Sequence, residues 1–366
     1  MVTRPAVDLC SPCDSLAKNV GTQRFEAGLT EAVQKLSSHY SSTEKEHTFY
    51  HSICLETKSH LPEGISLSPH PACSFDGTVH YSFGSAQDLL YPICPYEPGP
   101  LFHKYPRKCG LFGVACEGIS SQITFLLEES IALGENTDQI VSLLHFFFEH
   151  YGLGESHVHL SADSHNGLSK TDCLLQYLSW RVHTRRHLNI KISFVVTGHT
   201  RLSCDWFFGL FKRMYRRSRV DCLNDLVRVM TESCPRNIAQ KCGTEDGTSL
   251  VPFYSWTEFL EPYFHSVIDI AKYQHFQLSH GSSVLTMKES VDSTPRNQVF
   301  HRENLAILDP TALPKRIAPT GLSAARQWYL YDEIRSLVNP AFQDLVAPKP
   351  SCQRPNQEER EVTRNS

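Results

Sequence analysis

The chain has 366 residues, 40% of them hydrophobic and 20% charged, a composition that fills a sizeable core and excludes wholesale disorder. Lysine and arginine total 35 against 39 aspartates and glutamates, a formal charge of −4. That excludes a uniformly basic nucleic-acid coat but leaves room for a local basic patch. No stretch approaches the ~18 apolar residues of a membrane span, and the N-terminus lacks the apolar stretch of a signal peptide. The 13 cysteines are therefore expected as free thiols in a reducing compartment, nuclear or cytoplasmic rather than secreted.

Residues 14–60 read as helical, with Leu16, Val20, Phe25, Leu29, Val33 and Leu36 at loose helical spacing. Ahead of them stands the pair Cys10 and Cys13, and behind come His39, His47, His51, Cys54 and His60. A C-x-x-C pair supplies half of a structural Zn²⁺ site, and His47 and His51 at i, i+4 share a helix face. The competing reading is two ordinary thiols near a helix start. The Pro-rich run 61–71 closes this first region, 1–71.

A core region, 72–230, follows. Residues 73–83 alternate as a strand with Asp76-Gly77 near its start, 108–118 form a second strand, and a third begins at Ile123. Asn136 or Thr137 caps an amphipathic helix through His150. Residues 157–163 alternate as a strand that ends on Asp163, a helix begins at Lys170, and 190–198 form a buried-type strand. Asp205 then opens the helix DWFFGLFKRMYRRSR. Three strands followed by helix, strand, helix, strand and helix predict an α/β fold: a mixed sheet flanked by helices.

Residues 231–345 read as a less regular α+β extension. It contains a strand and short helix within 250–264, strands at 272–279 and 282–290, and a helix capped by Ser323. The polar tail 346–366 is expected to be disordered.

Three acids take special places. Asp76 lies on the first strand, Asp163 ends a later one and Asp205 opens a helix. Carboxylates at strand ends point into the crevice where open α/β sheets bind ligands. Three of them hold two divalent ions about 3.5–4 Å apart for phosphodiester chemistry, with Mg²⁺ or Mn²⁺ as the oxygen-preferring choice. Against this stand an N-cap role for Asp205, a turn at Asp76-Gly77 and an Asx turn at Asp163-Ser164. Arg181, Arg185 and Arg186 on one helix, and Lys212, Arg213, Arg216 and Arg217 on another, form basic clusters among aromatics suited to a phosphate backbone, DNA being the expected partner. A solvated helix face is the plainer alternative. No membrane partner is expected, and the sequence leaves oligomerisation open.

The wording and order of PRKCGLFGVACEGISSQITFLLEE, HVHLSADSHNGLSK, SFVVTGHTRLSCDWFFGLFKRMYRRSR and GLSAARQWYLYDEIR resemble a family of uncharacterised, transposon-derived animal proteins. The resemblance runs from about Cys10 to Arg335. It implies a ribonuclease H-like, integrase/transposase-type core with Asp76, Asp163 and Asp205 as catalytic metal ligands and His199, in the Gly-His-Thr motif, orienting water or the scissile phosphate. The sequence departs from the family pattern after the second acid. Where Asp-Asn-Cys-x-Gly-Gln-Asn-Lys-Asn is usual, Asp163 is followed by Ser164, His165, Asn166, Gly167, Leu168, Ser169 and Lys170. Two functions follow from different classes: a metal-dependent nuclease or strand-transfer enzyme, and a domesticated, catalytically inactive nucleic-acid-binding or interaction protein.

Overall fold

The computed structural model describes residues 10–62, 64–95, 104–134, 136–163, 170–195 and 202–355. In chain order the elements are α1 (Ser11–Thr22), α2 (Glu26–His60), β1 (Phe75–Tyr91), β2 (Arg107–Cys116), β3 (Ser121–Glu128), α3 (Thr137–His150), β4 (Glu155–Asp163), α4 (Asp172–His183), β5 (Asn189–Val195), α5 (Ser203–Tyr215) and α6 (Leu223–Ser233). Then come β6 (Asn237–Lys241), β7 (Phe253–Tyr254), α7 (Trp256–Leu260), β8 (His275–Ser279), β9 (Val284–Lys288), β10 (Arg296–Val299), β11 (Arg316–Ile317), α8 (Ala324–Tyr329) and α9 (Gln343–Val346).

The expected α/β architecture is present: a nine-stranded mixed sheet in the order β10-β9-β8-β5-β4-β1-β2-β3-β6. β1, β2 and β3 form an antiparallel meander, while β4 runs parallel to β1 and β5 parallel to β4. Helices α3 and α4 are the crossovers that parallel neighbours require. Asn136 caps α3 by accepting from the Asp138 amide, and Thr171 caps α4 by accepting from that of Leu174.

The two faces of the sheet differ in chemistry. On one face Val79, Tyr81, Phe83, Val158, Leu160, Ile190 and Ile192 pack against α3, α4 and Trp256 of α7 in one continuous core. On the other, α5 and α6 bury Phe207, Phe208, Phe211, Leu226, Val229 and Met230 over β1, β2 and β3. Helix α5 comes down onto the meander where Gly84 and Gly113 sit opposite each other. A Cβ on Gly113 would lie 2.8 Å from Phe208 Cζ, so glycine is required there.

Several expectations are corrected. The N-terminal helical stretch is two helices, broken at Gln23–Phe25, and β1 runs on to Tyr91 instead of ending near residue 83. β6 and β10 were not foreseen. The first part of the C-terminal tail is ordered: Val346 and Ala347 are fully buried, and Trp328 Nε1 donates to the Cys352 carbonyl at 3.2 Å. Residues 356–366 lie outside the described residues.

Two arginines hold the start of that tail: Arg335, which donates to the Ala347 carbonyl at 2.8 Å, and Arg107, the first residue of β2. Its guanidinium donates to the carbonyls of Glu245 (2.8 Å) and Val346 (3.3 Å) and pairs with Glu128 at 3.0 Å, both side chains being buried. Burial pushes the Glu128 carboxyl up from its ordinary pKa in spite of the arginine. Removing one partner of a buried pair strands the other charge. Arg107→Met is therefore expected to lose about 3–5 kcal/mol in urea unfolding. The double variant Arg107→Met/Glu128→Gln should recover much of that loss; equal losses in the two would contradict the stranded-charge account.

Candidate metal centre and the acidic positions

Cys10 is the N-cap of α1, and its sulfur accepts from the Cys13 amide at 3.4 Å. The break at Gln23–Phe25 turns the chain back, so that α2 brings His39 Nε2 to 3.3 Å from Cys10 Sγ. The ligand atoms of Cys10, Cys13 and His39 all lie within 4.8 Å of one another. Cys10 is buried and the other two are half-buried. Burial, with the Cys10 sulfur alongside, pushes the Cys13 thiol up from its usual pKa. Two sulfurs this close resist joint ionisation until a cation offsets the charge. This is a possible metal site, and it selects His39 from the candidate histidines. His47 and His51 lie two and three turns further along α2, with rings 6.2 Å apart. Cys54 belongs to a different cluster, 3.4 Å from His80 Nδ1.

The three acids do not converge. Asp163 ends β4, half-buried, on the face shared with His159 and Ser161. In the parallel register Phe83 pairs with Ala162, so the β1 residue beside Asp163 is Gly84. Asp205 stands in the first turn of α5, exposed. The preceding Cys204 sulfur lies 3.7 Å from where a Gly84 Cβ would be, which sets this turn over the same strand end. Asp76 lies at the other end of β1, exposed and 3.9 Å from His157 Nε2. At ~3.3 Å per residue the eight positions from Asp76 to Gly84 span about 26 Å, so Asp76 cannot share an ion with Asp163. Asp205 is not the helix cap either; Leu202 holds that position. Among the described residues, Cys10, Cys13 and His39 are the only group of three such ligands within 4.8 Å of one another. His199 lies outside the described residues.

The basic clusters separate. Arg181 is buried, donating to Glu149 (2.9 Å) and to the Tyr177 hydroxyl (3.1 Å). Arg186 lies over the Trp180 ring at 4.3 Å and donates to the Pro310 carbonyl. Both are structural, and of that cluster only Arg185 is exposed. On α5, Lys212 is half-buried and Arg213 exposed, and Arg216 and Arg217, in the turn that follows the helix, are exposed as well. Trp206 is exposed too, at 60%. Residues 206 and 213, seven apart, share the outer face of α5 across about 10 Å.

Sequence reasoning missed a polar layer between α2 and the sheet. His80 Nε2 lies 2.8 Å from Ser161 Oγ, and His159 Nε2 lies 2.9 Å from Ser193 Oγ, which in turn lies 2.9 Å from His275 Nδ1. Glu117 accepts from Ser82 and, at 2.5 Å, from Ser203. The signal was the alternation of His157, His159 and Ser161 on β4, a polar stripe on an interior strand. Burial holds His80 down at about 3, holds His159 well below its usual value, and pushes the Cys54 thiol up to about 12. A half-buried thiol kept neutral in this way is a poor nucleophile.

Residues 105–293, just over half of the chain, match the family model described as a domain of unknown function (DUF7869). Neither a curated protein nor a solved structure matches the chain. No helix among the described residues is long and apolar enough to cross a membrane.

A histidine whose folded-state pKa is depressed contributes stability above its unfolded pKa and loses it as pH falls. Stability should therefore decline from about pH 6.5 toward pH 3, by up to ~1.4 kcal/mol per pH unit for each such histidine. Denaturant unfolding across that range should show a shallower decline for His80→Gln than for the parent chain; an unchanged slope would mean that His80 does not bind its proton only on unfolding.

Proposed function

The chain belongs to the family described as a domain of unknown function (DUF7869), and from that premise we propose that it is a transposase-derived, ribonuclease H-like protein that binds nucleic acid without two-metal catalysis. A meander β3-β2-β1 followed by parallel β4 and β5, with a helix in each crossover, supports the ribonuclease H-like reading. The setting of α5 carries the function. Its first turn lies over Gly84, where β1 brings no carboxylate to Asp163, its outer face presents Trp206 and Arg213, and the turn that follows it presents Arg216 and Arg217.

The cleaving alternative, with Mg²⁺ or Mn²⁺, needs a third carboxylate beside Asp163 and Asp205. Asp76 is at the wrong end of its strand, and neither 164–169 nor 196–201 contains an acid. Two-metal chemistry depends on carboxylates that hold both ions against developing phosphoryl charge, and the nearby Glu117 is engaged by the Ser82 and Ser203 hydroxyls instead, which favours the binding reading. Binding requires no such set. Arginines contact phosphates, an exposed indole stacks on a base, and Gly209 between them has open space around it. At the N-terminus, two sulfurs and one imidazole are a donor set for Zn²⁺ rather than for Mg²⁺ or Mn²⁺.

Fluorescence anisotropy with single-stranded and duplex DNA tests the reading. Affinity should fall as salt rises, and the Arg213→Ala/Arg216→Ala/Arg217→Ala variant should lower the salt slope by roughly one unit per arginine. Neither Mg²⁺ nor Mn²⁺ should support cleavage by the parent protein. Gly84→Asp, whose Cβ meets nothing closer than Cys204 Sγ at 3.7 Å, should gain Mn²⁺ binding. Cleavage by the parent chain that vanishes in Asp163→Asn would restore the catalytic reading. Binding that ignores the arginines would remove the assigned surface.

A further inference from the structure

Helix α1 has little of its own to hold it in place. It is 12 residues long, a length at which an isolated helix is marginal in water. Cys10, its cap, is buried, whereas Leu16 and Val20 on the same face as Cys13 are only half-buried, and Asp14, Ala17 and Lys18 are exposed. None of its residues joins either hydrophobic core of the sheet. Two half-buried aliphatic side chains do not offset the ordering of twelve residues. Yet α1 lies back along α2, with Cys10 Sγ against His39 and with Cys13 hydrogen-bonded to Tyr40. The ligand groups themselves are thus among the contacts that join α1 to α2, beside the buried Ala32.

We infer that a Zn²⁺ ion bound by Cys10, Cys13 and His39 is what docks α1 on α2, so that the hairpin folds with its metal. The inference rests on the zinc assignment made above. A tetrahedral ion with Zn–S near 2.3 Å and Zn–N near 2.0–2.1 Å places sulfur and nitrogen about 3.6 Å apart. The Cys10 Sγ–His39 Nε2 separation is 3.3 Å, so the pair receives the ion with a shift of a few tenths of an ångström. Binding displaces the protons of the two thiols to solvent and leaves two thiolates and a neutral imidazole around the cation. No fourth Cys, His, Asp or Glu among the described residues joins the group. Because α2 continues unbroken for 35 residues to the polar face of the sheet, losing α1 leaves the sheet and its cores intact. Zinc sets the state of the hairpin and not of the body.

Limited trypsin digestion of the full chain, with zinc analysis, tests the inference. Lys18 in α1 and Arg24 at the break between the helices are both exposed. The protein loaded with Zn²⁺ should hold one equivalent and resist cleavage at both. Chelation should speed cleavage there by about tenfold or more, while tryptophan fluorescence, which reports residues 180, 206, 256 and 328 of the body, stays unchanged. Cys13→Ser and His39→Ala should be cleaved rapidly with or without Zn²⁺. Cys352→Ser, which removes a thiol at the far end of the chain, should behave as the parent. Co²⁺ in place of zinc should show thiolate-to-metal absorption that both ligand variants lose. One equivalent of zinc with no change in cleavage would overturn the metal-dependent hairpin and leave the zinc assignment standing. No bound zinc or cobalt would overturn both.

Discussion

The register of β1 against β4 governs what this molecule can do. β1 is the hinge of the sheet's topology, antiparallel to β2 on one side and parallel to β4 on the other. The pairing of Phe83 with Ala162 is held by a core that places Val79, Tyr81 and Phe83 on the same side as Val158, Leu160 and Ala162. Because strand side chains alternate, slipping β1 by one residue would turn His80 and Ser82 into the apolar core, a cost no single polar contact offsets. With the register set by burial, the residue beside Asp163 is set as well, and it is Gly84. The fate of the acidic site is thus a consequence of how the hydrophobic core aligns two strands.

Much of the fold was legible because its signals are periodic. The apolar runs of β2, β3 and β5 and the helical spacing of α3 and α4 each name their element. The order of three strands and then alternating helices and strands names the sheet type. What escaped has physical reasons. β6 and β10 are short strands with little apolar content, and they exist through pairing with β3 and β9. β1 continues beyond Gly84 across a bulge between Ala86 and Leu89, which breaks the alternation by which a strand is read. The ordered start of the C-terminal tail meets Arg107, some 240 residues away in sequence, and no local pattern announces such a contact.

The site was legible in its parts and not in its assembly. Asp163 and Asp205 were placed correctly on their elements, but Asp76 was assigned by strand and not by height along it. A strand of 17 residues is long enough for an acid to be on the right element and some 20 Å from the right place. The arginines show the same limit. Charge and spacing alone could not distinguish Arg181, sealed against Glu149 and Tyr177, from Arg213 in solvent. Burial decides which guanidinium is a core strut and which is free to meet a phosphate. In the N-terminal region, Cys10 and Cys13 were evident as a pair, but the helical break at Gln23–Phe25 was needed to choose His39 over its neighbours.

The polar layer under α2 sets the chemistry of this face of the sheet. A face built to expose carboxylates to solvent and ions would be open and hydrated. Here its lower half is closed by α2, whose Tyr50 ring lies edge-on to His80 at 5.2 Å and whose Phe49 lies between His159 and His275. Every serine and histidine in that layer finds a partner within the protein, which satisfies the condition for burying polar groups at tolerable cost. The meander half of the same face is closed by α5 through the Gly84–Gly113 pair. A side chain at Gly84 would face the first turn of α5 with room to spare, its Cβ 3.7 Å from the Cys204 sulfur, whereas one at Gly113 would press on the Phe208 ring at 2.8 Å. The close approach of α5 to the sheet is therefore set at Gly113, and the helix so seated leaves Trp206 and Arg213 outward.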